Sequence, residues 1–83
     1  MFYVYILTCA DNTPYVGSTN NLEKRLKEHD TSKNGAHYTK IRRPVALAYN
    51  EICKTYSEAR AREGALKRLT RNEKLFLINN NVS

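Results

Sequence analysis

Residues 2–8, Phe-Tyr-Val-Tyr-Ile-Leu-Thr, are aromatic or branched at every position, and this run limits the folds open to the chain. Such side chains fit the pleated surface of a strand better than the crowded flank of a helix. Alternation puts Tyr3, Tyr5 and Leu7 on one face and Phe2, Val4 and Ile6 on the other. Both faces are largely apolar, so the strand needs cover on both sides and belongs in the middle of a sheet.

The turn cluster Ala10-Asp11-Asn12-Thr13-Pro14 follows, and residues 15–19 read as a second strand. So short a connection makes the pair an antiparallel hairpin with Tyr5 and Tyr15 on neighbouring strands. Asn20 then offers an N-cap with Glu23 three residues on, and Leu22, Leu26 and His29 recur at helical spacing. Residues 31–44 show no clear period and carry Gly35 and Pro44. They read as a long loop with room for a short turn of helix, and such loops in small domains are often functional.

Residues 45–52 alternate as a third strand. Thr55-Tyr56-Ser57-Glu58 is a capping box opening a helix over 56–69, and Thr70-Arg71-Asn72-Glu73 repeats the signal for a helix ending near Asn79. Residues 79–83 read as a frayed tail. The expected class is α+β: a three-stranded antiparallel sheet flanked by helices, in the order β-β-α-β-α-α. Residues 1–83 are too few for two independent cores, so they read as one domain with its site in a shallow cleft.

Fourteen Lys and Arg against eight Asp and Glu leave a net charge of +6. Lys40, Arg42 and Arg43 fall together, as do Arg60, Arg62, Lys67, Arg68 and Arg71. Clustering of this kind favours a polyanionic partner over a surface that is merely soluble. Cys9 and Cys53 form no Cys-x-x-Cys pair, which argues against a zinc site and suits reduced thiols in a cytoplasmic protein. The N-terminal apolar run has no basic lead and meets Asp11 too soon for a signal peptide or a membrane span.

Arg25 and His29 are four apart and share one side of the first helix. An arginine there can fork onto a phosphate, although a solvated helix face is the commoner explanation of a lone arginine. Gly17 marks a strand end, a bulge, or a point where a ligand approaches closely. Glu63 projects between Ala59 and Tyr56, at the edge of its helix's apolar arc. A carboxylate there must be desolvated, paired with a nearby arginine, or bound to a metal. Mg²⁺ accepts one carboxylate together with waters and phosphate oxygens. His37, in the long loop, is either simply solvated or an acid–base group.

Taken in order, these residues resemble the GIY-YIG nuclease domain over nearly the whole chain. Tyr3-Val4-Tyr5 stands where that family has Gly-Ile-Tyr, and Tyr15-Val16-Gly17 where it has Tyr-Ile-Gly. Arg25 matches the family's helix arginine, His29 a position held by His or Tyr, and Glu63 the metal-binding glutamate. His37 resembles a loop histidine of some members. Asn72, Asn79 and Asn80 are alternative counterparts of a C-terminal asparagine found in others.

The resemblance implies an endonuclease that hydrolyses DNA phosphodiesters with Mg²⁺ or Mn²⁺, in repair or recombination. Tyr5, Tyr15, Arg25, His29 and Glu63 would be catalytic, with Glu63 the metal ligand and either tyrosine the proton acceptor. Gly17, His37, Lys40, Arg42, Arg43, Arg60, Arg62, Lys67 and Arg68 would meet the nucleic acid. The chain is expected to be a monomer, and the absence of the second, DNA-gripping domain that many members carry leaves specificity to a partner protein. The alternative is a non-catalytic nucleic-acid-binding module on the same fold. The Tyr-Tyr-Arg-His-Glu set favours catalysis, because binding alone needs no carboxylate at the site.

Overall fold

β1 (Phe2–Cys9) lies between β2 (Pro14–Thr19) and β3 (Val45–Cys53) in a sheet of order β2-β1-β3. The computed structural model describes residues 1–31 and 33–80. Both neighbours run antiparallel to β1. Val4 and Ile6 on one face of β1, and Tyr5 and Leu7 on the other, are all buried. A strand apolar on both faces thus takes the one position covered on both.

The first face is covered by α3 (Tyr56–Lys67) and α4 (Arg71–Asn80). Val4, Ile6 and Val16 meet Ala59 and Leu66, with Leu69, Leu77 and Ile78 packed around them. Each fully buried branched aliphatic contributes roughly 2 kcal/mol. The second face meets α1 (Leu22–Thr31) and the four-residue α2 (His37–Lys40). The architecture is the expected α+β arrangement.

Several boundaries differ from expectation. The N-cap of α1 is Asn21 rather than Asn20: Asn21 Oδ1 accepts from Lys24 N–H at 3.1 Å. Thr19 Oγ1 accepts from Asn21 N–H, and this turn delays the helix by one residue. β3 extends to Cys53, and its pairing with β1 skips Ala48, a bulge that breaks simple alternation. α3 stops at Lys67 because the chain tightens there, Arg68 N–H reaching both Gly64 O and Ala65 O. Asn79 and Asn80 are helical in α4 rather than frayed, while 81–83 lie outside the described residues.

Both threonine caps form, but only the second closes as a full capping box, because Glu58 accepts from Lys54 N–H rather than from Thr55. Glu58 N–H donates to Thr55 Oγ1, and Thr70 and Glu73 bond each other reciprocally. The hairpin turns through Asn12 at φ 66°, a conformation asparagine tolerates, with Asp11 Oδ1 accepting from Thr13 N–H.

The segment read as a loop is anchored on the end of α1. Arg43 donates to His29 O at 2.7 Å and to Glu28 O at 2.9 Å, satisfying carbonyls the helix leaves open. Gly35 is buried against the same turn, where a Cβ would strike Glu28 O and lie 3.0 Å from His29 Cα. Only glycine lets the two backbones approach so closely.

Candidate active site

Tyr5 points from the centre of the sheet toward α1. Its ring lies over Gly17, the residue paired with it on β2; a Cβ there would meet the Tyr5 hydroxyl and come within 2.6 Å of Cζ. Gly17 is therefore a buried seat for Tyr5 rather than a surface for nucleic acid, a correction to its expected role. The Tyr5 hydroxyl lies 2.8 Å from His29 Nε2, and His29 Nδ1 lies 2.7 Å from Thr39 Oγ1. His29 and Thr39 have no exposed surface.

Burial pushes the Tyr5 phenol up to about 12, against the opposing pull of the Arg25 guanidinium beside it. Burial also pushes His29 down to about 4, helped by the positive charge of Arg25. At neutral pH both groups are uncharged. Arg25 is itself held by Glu28 Oε1 and by Asn34 O, each at 3.1 Å. The half-buried Tyr15 ring packs edge-on to His29 with centroids 5.1 Å apart, and leans on Tyr38 at 5.7 Å.

Glu63 approaches the same strand from the other face. Tyr15 and Gly17 share the α1 side of β2, whereas Ser18, paired with Val4, looks toward α3. Ser18 Oγ donates to Glu63 Oε1 at 2.6 Å, and Lys67 Nζ holds Oε2 at 2.8 Å. Burial raises the Glu63 carboxyl, but Lys67 and Ser18 outweigh it and keep the group below the usual carboxylate range. Glu63 thus lies on one face of β2, and Tyr5, Tyr15 and His29 on the other. The ion-paired state of Glu63 and its place at the edge of the core thus occur together.

The basic residues divide into two groups. Arg60, at 3.9 Å, and Lys67 flank Glu63. Arg62 projects elsewhere and grips Glu51 of β3 through Nε and Nη2, with Tyr49 donating to the same carboxylate. Arg42 pairs with Asp11 at 3.0 Å and stacks 3.9 Å over Tyr38. Arg42, Arg43 and Arg62 therefore tie the fold together, which sequence clustering alone did not reveal. His37 and Arg68 are exposed, and Lys40 is half-buried. Asn72, Asn79 and Asn80 all lie on α4, which packs toward β3 rather than β2.

A family model for the GIY-YIG catalytic domain matches residues 1–76. The chain belongs to the GIY-YIG family. The UPF0213 protein of Syntrophus aciditrophicus is 52% identical over 79 residues, covering 95% of this chain and 91% of that one. That of Clostridium perfringens is 54% identical over 78 residues, covering 94% and 83%. The solution NMR structure of the UPF0213 protein from Bacillus halodurans matches with a TM-score of 0.62 at 36% identity, covering 98% of this chain and 86% of that one. The GIY-YIG domain implies nuclease activity, in a class that generally depends on a divalent metal and acts on DNA.

In this GIY-YIG chain the first motif begins with Tyr3, which sits half-buried between Thr19 and Ile52 and leaves the Tyr5 seat intact. Among the described residues no three His, Cys, Asp or Glu side chains gather as a metal cluster. What the site offers is one ionised oxygen donor, Glu63. That fits a hard divalent ion that keeps waters and takes phosphate oxygens. The Lys67 ammonium on Oε2 marks a position that already favours a cation.

Ser18 and Thr39 were not foreseen. Ser18 was open to discovery, since alternation along β2 turns it away from Tyr15 and toward the helix carrying Glu63. Thr39 lies in a helix too short to show a period. Cys9 and Cys53 are free thiols, and no helix among the described residues is long and apolar enough to cross a membrane.

Proposed function

We propose that the protein is a cytoplasmic, Mg²⁺- or Mn²⁺-dependent endonuclease that hydrolyses DNA phosphodiester bonds in repair or recombination. What supports this reading is an ionised, Ser18-held Glu63 on one face of β2, with Arg25 and the two tyrosines toward the α1 face of the same strand. A surface that only bound DNA would gain nothing from a carboxylate among its cations.

Glu63 would hold the metal, with Ser18 fixing Oε1 and Lys67 the present cationic partner of Oε2. A divalent ion bound there supplies Lewis acidity toward a phosphate oxygen. Arg25, presented from α1 and braced by Glu28 and Asn34, offsets the charge that grows on the phosphoryl oxygens. Tyr5 is committed to His29 and buried, so it orders the site. Tyr15 is half-exposed, its hydroxyl has no hydrogen-bond partner among the described residues, and it is the better-placed proton acceptor. Arg60, Lys67, Arg68, Lys40 and His37 supply the remaining positive or neutral contacts to the DNA backbone. The protein acts as a monomer, with a partner protein contributing specificity.

The test is cleavage of single-stranded, duplex and branched DNA with Mg²⁺, with Mn²⁺, and with chelator. Wild type cuts only with metal, while Glu63→Gln and Arg25→Ala each lose on the order of a hundredfold or more in rate. Cutting that persists undiminished in both variants would sink the proposal. DNA binding with steep salt dependence and no cutting would instead establish the binding module.

A further inference from the structure

Thr39 is a buried polar side chain that the mechanism above does not use. Its hydroxyl lies 3.0 Å from the Ala36 carbonyl and 2.7 Å from His29 Nδ1. A hydroxyl has one proton to give, and a carbonyl oxygen can only accept. Thr39 therefore donates to Ala36 and turns its lone pairs toward the imidazole. Nδ1 must then carry the ring proton, because two facing lone pairs at 2.7 Å would repel.

At the other end of the ring, the Tyr5 hydroxyl lies 2.8 Å from His29 Nε2. With Nδ1 protonated, Nε2 has a free lone pair to receive the phenol proton. The opposite tautomer would place an N–H against the Tyr5 oxygen and turn the phenol proton away from the ring.

We propose that Thr39 is a positioning residue that sets the His29 tautomer and thereby the direction of the Tyr5–His29 hydrogen bond. The order of action is Ala36 carbonyl, Thr39, His29, Tyr5, with every hydrogen bond pointing one way. The loop anchors support this: Gly35 and Arg43 fix the segment before and after α2 against the turn of α1 that bears His29. Its consequence for cleavage rests on the nuclease reading; the tautomer itself does not.

The experiment is long-range ¹H–¹⁵N NMR of the His29 ring in the full chain, for wild type, Thr39→Ser and Thr39→Val. Wild type and Thr39→Ser are expected to show Nδ1 protonated and Nε2 bare. Thr39→Val, nearly the same shape but with no acceptor, is expected to shift the ring toward Nε2 protonation. Its cleavage rate should fall on the order of tenfold with KM little changed, and Thr39→Ser should restore it. A wild-type ring protonated on Nε2 overturns the proposal, as does an unaltered tautomer in folded Thr39→Val. Should Thr39→Val not fold, the wild-type and Thr39→Ser spectra decide. Wild type that cuts no DNA overturns the nuclease reading, while the ring spectra still decide the role of Thr39.

Discussion

At the centre of the site a histidine is buried with both ring nitrogens occupied. Its neutral state carries a consequence for stability. His29 in the folded protein titrates near 4, pushed down by burial from an ordinary 6.5. Between those values the unfolded chain takes up a proton that the folded one refuses. The stabilisation is therefore fully present above about 6.5 and is lost as pH falls toward 4. Glu51 and Glu63, whose carboxyls lie below their ordinary 4.5, lose their contributions only in a more acidic range. Denaturant unfolding at neutral pH and at about pH 5 should thus differ by on the order of 2 kcal/mol, mostly from this one residue. His29→Gln should flatten that difference. An equal slope in both proteins would show that His29 is not held neutral.

At the scale of elements, the hairpin of β1 and β2 is the part that reads both ways, as scaffold and as site. Gly17 demonstrates why. Adding a methyl group there drives Cβ into the Tyr5 ring, within 2.6 Å of Cζ, and that ring is pinned behind by His29. Gly17→Ala should cost roughly 1–3 kcal/mol, read as a lower denaturation midpoint with an unchanged slope. A neutral Gly17→Ala would mean that the ring moves freely, contrary to this packing. The strands and both threonine caps were legible because alternation and side-chain–backbone bonding are local. The cap of α1 was misplaced by one residue because a threonine turn, invisible to helical periodicity, precedes it. The roles of Arg42, Arg43 and Arg62 were hidden for another reason. Their partners Asp11, Glu28, His29 and Glu51 are distant in sequence and meet them only on folding. Charge that looked available for DNA is in part consumed in holding α1, β3 and the hairpin together.

In the whole molecule, two faces of one sheet are proposed to serve a single centre. α1 brings Arg25 and His29 to one side of β2, and α3 brings Glu63 to the other, with Ser18 and Gly17 adjacent in the strand between them. The sequence suggested the five residues as a set but not their division between faces, because that follows from strand register. A chain of 83 residues with net charge +6 has little core to spare: the cluster facing α3 is apolar, whereas the α1 side of the sheet buries His29 and Thr39. The most direct test is paramagnetic broadening of the amide spectrum of the ¹⁵N-labelled chain by Mn²⁺, for wild type and Glu63→Gln. Broadening should centre on Ser18, Glu63 and their neighbours, extend through Gly17 to Tyr5, and vanish in Glu63→Gln. Broadening centred elsewhere, or unchanged in Glu63→Gln, would contradict a metal centre at this edge of the sheet.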